Sequence, residues 1–163
     1  MKLFILLLSF LSNPALAQVA APAKEGGEMA LSVYTGPLLP NNIDGVTEIQ
    51  SSWGARLAKV GEWVDFYEVG FLISNSEGVE IFDYYFSAKK EVNTEGFLTQ
   101  IYGGVDYFTY DSNAGTSDNV FGIHVGTAFL VHISEKILFR TDMKYNIGPG
   151  NMFFIGFGLE TRF

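Results

Sequence analysis

The sequence has no cysteine, only two histidines, and 10 Lys+Arg against 18 Asp+Glu in 163 residues. Without cysteine there is no disulfide framework, no Cys-ligated zinc or iron–sulfur site, and no Cys-anchored lipid. The acidic balance argues against a nucleic-acid binder, which needs a basic face to neutralise phosphates. Long apolar runs are also missing. Beyond the first 17 residues, the longest stretch free of Asp, Glu, Lys and Arg is Asn119 to Ser134, 16 residues that include two glycines and both histidines. A spanning helix needs about 18 or more uniformly apolar residues, so this stretch does not supply one. What is abundant is glycine, 18 residues, and aromatic side chains, 15% of the chain. Disordered chains are polar and aromatic-poor, so this chain folds, and its length suits one domain.

Met1-Lys2 is a short basic start, Leu3 to Leu11 an apolar run, Pro14 a breaker, and Ala15-Leu16-Ala17 an A-x-A cleavage pattern. In that order these read as a secretory signal peptide over 1–17; the competing reading, an anchor, is disfavoured because the run is too short to span. Removing it takes away Lys2 and leaves 146 residues with 18 acids and 9 bases, net −9. Residues 18–27 read as a flexible lead-in, and 28–163 as the folded domain.

The dominant pattern in that domain has period two, which sends alternate side chains to opposite faces of a strand. Eight segments show it. Met29, Leu31 and Val33 alternate with Glu28, Ala30 and Ser32; Trp53, Ala55 and Leu57 alternate with Ser52, Gly54 and Arg56. Val69 and Phe71 oppose Glu68 and Gly70; Phe82, Tyr84 and Phe86 oppose Asp83, Tyr85 and Ser87. In the second half, Ile101, Val105 and Tyr107 face away from Tyr102, Gly104 and Asp106. Phe121, Ile123 and Val125 face away from Gly122, His124 and Gly126. Ile137, Phe139 and Met143 oppose Arg140, Asp142 and Lys144, and the last segment sets Phe153, Ile155, Phe157 and Leu159 against Phe154, Gly156, Gly158 and Glu160.

Turn residues separate the segments at hairpin spacing. One set of connections is 36–50, 74–78, 111–118 and 148–151; the other is 59–62, 90–95 and 133–136. With the N-terminus in the periplasm, the first set faces outward. Its acids Asp44, Glu48, Glu77, Glu80, Asp111 and Asp118 have no Lys or Arg beside them. That is a poor surface for direct phosphate binding; divalent bridging and plain solvated loops are the two readings of it.

A cleaved leader, eight alternating strands and a terminal Phe163 resemble the small outer-membrane β-barrels of the OmpA/OmpX type. The resemblance implies an all-β fold: an eight-stranded antiparallel up-and-down transmembrane β-barrel with a side-chain-filled lumen, in the bacterial outer membrane. It also implies that Phe153, Ile155, Phe157, Leu159 and Phe163 form the signal read by the barrel-assembly machinery, with Thr161 a mild departure. A soluble sandwich or lipocalin-like barrel carries the same alternation with its faces reversed. The glycines in the polar set and the terminal Phe163 favour the membrane version.

On that reading the inner face carries Glu28, Arg56, Glu68, Asp83, Lys89, Asp106, His124, Arg140, Asp142, Lys144, Glu160 and Arg162, nearly balanced in charge. An interior of eight strands is filled by side chains, so these residues read as a paired lumen charge network rather than as a proton or ion path. No catalytic residue, metal or cofactor is assigned. His132-Ile133-Ser134-Glu135 is similar to the His-x-Ser arrangement of outer-membrane lipid A deacylases, but the topology puts it at a periplasmic turn, away from the outer leaflet. The function expected is that of a non-enzymatic structural protein of the outer membrane, contributing to envelope organisation. A narrow pore or small-molecule-binding barrel is the alternative, and a lipid-modifying enzyme comes after it.

The expected partners are outer-membrane lipid, the assembly machinery and a second copy of the chain. Self-association rests on two features. The first loop is unusually apolar, with Leu38, Leu39 and Ile43, and the outward set is interrupted by small residues, above all Ala55 and Gly103. The competing explanation is that small residues serve strand twist and curvature.

Overall fold

The computed structural model describes residues 28–41, 49–76, 78–94, 97–112, 117–148 and 150–163. The leader, the lead-in, Ile43, Asp44, Glu48 and Glu77 lie outside them. Eight strands follow in chain order: β1 Met29–Asn41, β2 Gln50–Val60, β3 Phe66–Ser76, β4 Val79–Thr94, β5 Phe97–Ser112, β6 Ser117–His132, β7 Ile137–Ile147 and β8 Asn151–Arg162. Each pairs antiparallel with its chain neighbours, and β8 returns to β1 to close the barrel. The seam is completed at the chain end, where Met29 N–H donates to Phe163 O and Phe163 N–H to Met29 O, both at 3.0 Å. The β2–β3, β4–β5 and β6–β7 connections share an end of the barrel with Met29 and Phe163, the termini end. The other four connections make the loop end.

The two faces are inverted relative to a water-soluble barrel. Leu31, Val33, Trp53, Val69, Ile101 and Val105 are exposed on the outside, while Arg56, Glu68, Asp83, Lys89, Arg140 and Asp142 are buried inside. Such a continuous oily exterior is a membrane-facing surface. Closure pairs the barrel's backbone polar groups along the strands, the condition for crossing hydrocarbon without helices. No helix among the described residues is long and apolar enough to cross a membrane.

Strand phase is set by the hairpins. Ser76 pairs with Val79 and Thr94 with Phe97, so two tight two-residue connections switch the inward set to odd numbers in β4 and back to even numbers in β5. The first of these turns has Gly78 at φ 82°, a conformation favourable to glycine and matched to the twist of a tight hairpin.

Two expected turns are strand instead. Gly36-Pro37-Leu38-Leu39-Pro40 continues β1, so the first connection begins only after Asn41. Proline reads as a breaker because it lacks an N–H, but here the ladder to β8 simply skips Gly36 and Pro37 and resumes at Leu38–Phe154. Likewise 90–94 continues β4, pairing with β5 up to Thr94–Phe97.

Inside, large rings lie across glycines on neighbouring strands. A Cβ on Gly54 would stand 2.6 Å from the Tyr34 hydroxyl, one on Gly70 would stand 2.4 Å from the Tyr85 hydroxyl, and one on Gly104 would stand 2.8 Å from the His124 ring. These glycines provide the space that lets a ring on one strand reach past its neighbour to the next.

Candidate functional site: an ion-paired lumen

Two ionic clusters fill the barrel. The larger centres on Asp142 of β7. Arg140 grips it with Nε at 2.6 Å and Nη2 at 2.9 Å, and Arg56 from β2 reaches across with Nη2 at 3.0 Å and Nη1 at 3.3 Å. The Tyr102 hydroxyl donates a further bond at 2.9 Å. Arg140 Nη1 also contacts Glu160 at 2.9 Å and the Gln100 side-chain oxygen. Glu160 passes the chain on to Arg162 at 3.0 Å, which ends on Glu91 at 2.6 Å. Lys89 pairs with Glu68, which lies 3.8 Å from Arg56.

The smaller cluster holds Lys144 between Asp83 at 2.6 Å and Asp106 at 2.9 Å. Asp106 also accepts from His124 Nδ1 at 2.9 Å, and His124 Nε2 meets the Ser87 hydroxyl at 2.8 Å. Aromatic rings join the clusters: Arg56 lies 3.9 Å over Tyr34 and Lys144 lies 3.9 Å over Tyr85, and the two phenols share a 3.0 Å hydrogen bond. Each lumen cation therefore has a carboxylate partner, the arrangement that makes buried charge tolerable.

Apolar clusters lie toward both ends of the lumen. Leu38, Leu72, Ile81, Phe108, Met152 and Phe154 pack with Tyr34 into one cluster near the loop end. At the termini end Leu130 and Leu138 pack with Tyr102 and Ala128, while Ala30, Ala58 and Phe66 form a second group. One void among the ions, about 10 Å³, is lined by Tyr34, Arg56, Leu72, Tyr85, Tyr102, Lys144 and Phe154. That is room for about one water molecule.

Ser87, His124 and Asp106 have the hydrogen-bond order of an activated serine: a carboxylate orients the imidazole, which accepts from the hydroxyl. All three are buried in the filled lumen, and Lys144 occupies the same carboxylate oxygen of Asp106. The arrangement holds β4, β5 and β6 together; it offers a substrate no room. His132 and Ser134 are both exposed at the termini end, with no hydrogen bond between their side chains among the described residues.

The structure places Arg56, Glu68, Asp83, Lys89, Asp106, His124, Arg140, Asp142, Lys144, Glu160 and Arg162 together inside. Glu28 is a correction: it precedes β1 and is exposed, and its carbonyl accepts from Val60 N–H at 2.9 Å. Its place in the network belongs to Glu91, which the sequence hides in an expected turn. Leu38 is a second correction. As a continuation of β1 it points inward, is fully buried and cannot touch a neighbouring subunit. Leu39 lies on the outer face opposite Phe153, and Ala55 and Gly103 face outward on β2 and β5. Phe153, Ile155, Phe157 and Leu159 all face outward on β8, and Phe163 is exposed beyond it.

No family model and no curated protein sequence matches this chain. Solved structures do. Neisserial surface protein A superposes with a TM-score of 0.71 at 9% identity, covering 85% of this chain and 99% of that one. The fold is that of a small outer-membrane barrel. The N-terminal barrel domain of Pseudomonas aeruginosa OprF gives 0.60 at 12% identity, and the attachment invasion locus protein Ail of Yersinia pestis gives 0.59 at 12%; each covers 85% of this chain and 99% of its own. At such identities the likeness concerns architecture alone.

Proposed function

We propose that this protein is a non-enzymatic structural barrel of the bacterial outer membrane, exported by a cleaved leader, that contributes to envelope organisation and conducts no solute. The carrying observation is the lumen: it is filled by buried side chains in which each cation has a carboxylate partner, with apolar clusters toward both ends. A conducting pore needs a continuous aqueous path, commonly lined by charge of one sign. Its partners on this reading are outer-membrane lipid along the belt and, during insertion, the machinery that reads Phe163 and the outward residues of β8.

Self-association is a second reading, favoured by Gly103. Among the described strand glycines it alone faces outward, and a Cβ there would meet nothing closer than His124 O at 3.3 Å. A flat, small-residue patch permits close approach of another membrane element.

A strain lacking the chain tests the structural reading. Its outer membrane should admit more of a bulky apolar dye, and the wild-type chain should restore the barrier. An intact barrier, together with loss of uptake of one small solute that the chain restores, would favour the pore instead.

A further inference from the structure

The outer face is not uniform. On the β8–β1–β2 side, a shallow, open groove is lined by Val33, Thr35, Trp53, Ala55, Phe157 and Leu159. Register explains its shape. Thr35 of β1 sits directly between Phe157 of β8 and Trp53 of β2, so a short side chain is flanked by two tall rings. Trp53 packs edge-on against Phe71 of β3, ring centres 5.8 Å apart, which draws it away from β1. The next row toward the termini end sets Val33 beside Ala55, again low.

The floor of this groove presents little polar surface. The Thr35 hydroxyl donates to Ser52 O at 2.8 Å, leaving its methyl to the outside, and the strand backbone beneath is committed to the ladders. A trough about two strand spacings wide, roughly 10 Å between backbones, suits one hydrocarbon chain lying along β1. A second barrel presents a convex sheet that cannot follow such a trough.

One charge marks the end of the path. Lys59 faces outward on β2, four residues from Ala55 and roughly 13 Å along the strand, with the apolar Leu57 between them. It is exposed and has no carboxylate partner among the described residues. A cation at that height, where the strand meets the membrane interface, attracts an anionic headgroup.

We propose that the β8–β1–β2 face is a binding site for one anionic phospholipid, its phosphate on Lys59 and one acyl chain in the groove between Trp53 and Phe157. The proposal rests on the membrane placement above and goes beyond it by naming a lipid class and a site.

The chain has two tryptophans, Trp53 in the groove and Trp63 in the β2–β3 turn, so W63F leaves Trp53 as sole reporter. The W63F protein is reconstituted in phosphatidylcholine vesicles doped with phosphatidylglycerol or phosphatidylcholine brominated on the acyl chains. Trp53 emission should be half-quenched at a several-fold lower mole fraction of brominated phosphatidylglycerol than of brominated phosphatidylcholine. K59Q should erase that difference, and T35F, which fills the trough from outside the barrel, should abolish preferential quenching altogether. Equal quenching by both lipids, unchanged by T35F, means ordinary annular lipid and overturns the site while leaving the membrane barrel intact. Absence of quenching by either lipid overturns both. Efficient disulfide dimers through T35C, in a chain with no other cysteine, place a second copy in the groove and also overturn the proposal.

Discussion

Tyr102 lies over Gly126, its cross-strand partner in the β5–β6 ladder, and a Cβ on that glycine would stand 2.4 Å from the phenol ring. Beyond the glycine the Tyr102 hydroxyl reaches Asp142 on β7 at 2.9 Å. The glycine thus enables a bond between strands that are not neighbours. Gly126→Ala should displace the ring and lower stability by about 1–3 kcal/mol, the usual cost of overpacking. Gly103→Ala, on the outer face where the added Cβ meets the His124 carbonyl oxygen at 3.3 Å, should cost less, under about 1 kcal/mol. Urea unfolding in lipid vesicles reads both; equal effects would contradict the assignment of inner and outer glycines.

Arg140 is the most heavily engaged lumen cation, bonded to Asp142, Glu160 and Gln100. Arg140→Ala leaves two buried carboxylates short of a partner and should destabilise the barrel by about 3–5 kcal/mol. The same unfolding measurement checks this. A loss of less than about 1 kcal/mol, the value of an exposed pair, would show that the lumen is wet.

The alternation made the strands and their faces legible because a lumen lined with charge and glycine contrasts sharply with an aromatic exterior. It could not supply the pairings. Arg56 and Asp142 are 86 residues apart, on β2 and β7, and meet only because the closed sheet curves them into one space. Tyr85 and Ser87 fall in the inward set, but nothing in the sequence shows that they, Tyr34 and Gln100 bridge the ions. The errors cluster at turns. Pro37 and Pro40 read as breakers, which misplaced Leu38, and the length of the β4–β5 hairpin concealed Glu91.

Phe163 has two separable roles, a backbone pair with Met29 that closes the seam and an exposed ring beyond β8. Phe163→Ala keeps the first and removes the second. If the ring is the assembly signal, the variant should reach the membrane in reduced amount in cells yet fold normally when refolded into detergent. Heat-modifiable migration on gels measures both. Undiminished membrane yield would assign no signalling role to the ring.

Gly103→Trp places a bulky ring on the small-residue patch without entering the lumen. It should abolish cross-linked oligomers in native membranes while leaving the folded monomer intact. Single barrels in the cross-linked wild-type protein would dismiss self-association outright.

Conductance tests the central claim most directly. Purified wild-type protein inserted into a planar bilayer, with insertion verified by protease protection, should give no steady current steps, because buried side chains fill a lumen whose ions are mutually paired. Reproducible, long-lived steps of uniform size would contradict the filled lumen and with it the structural role proposed for this barrel.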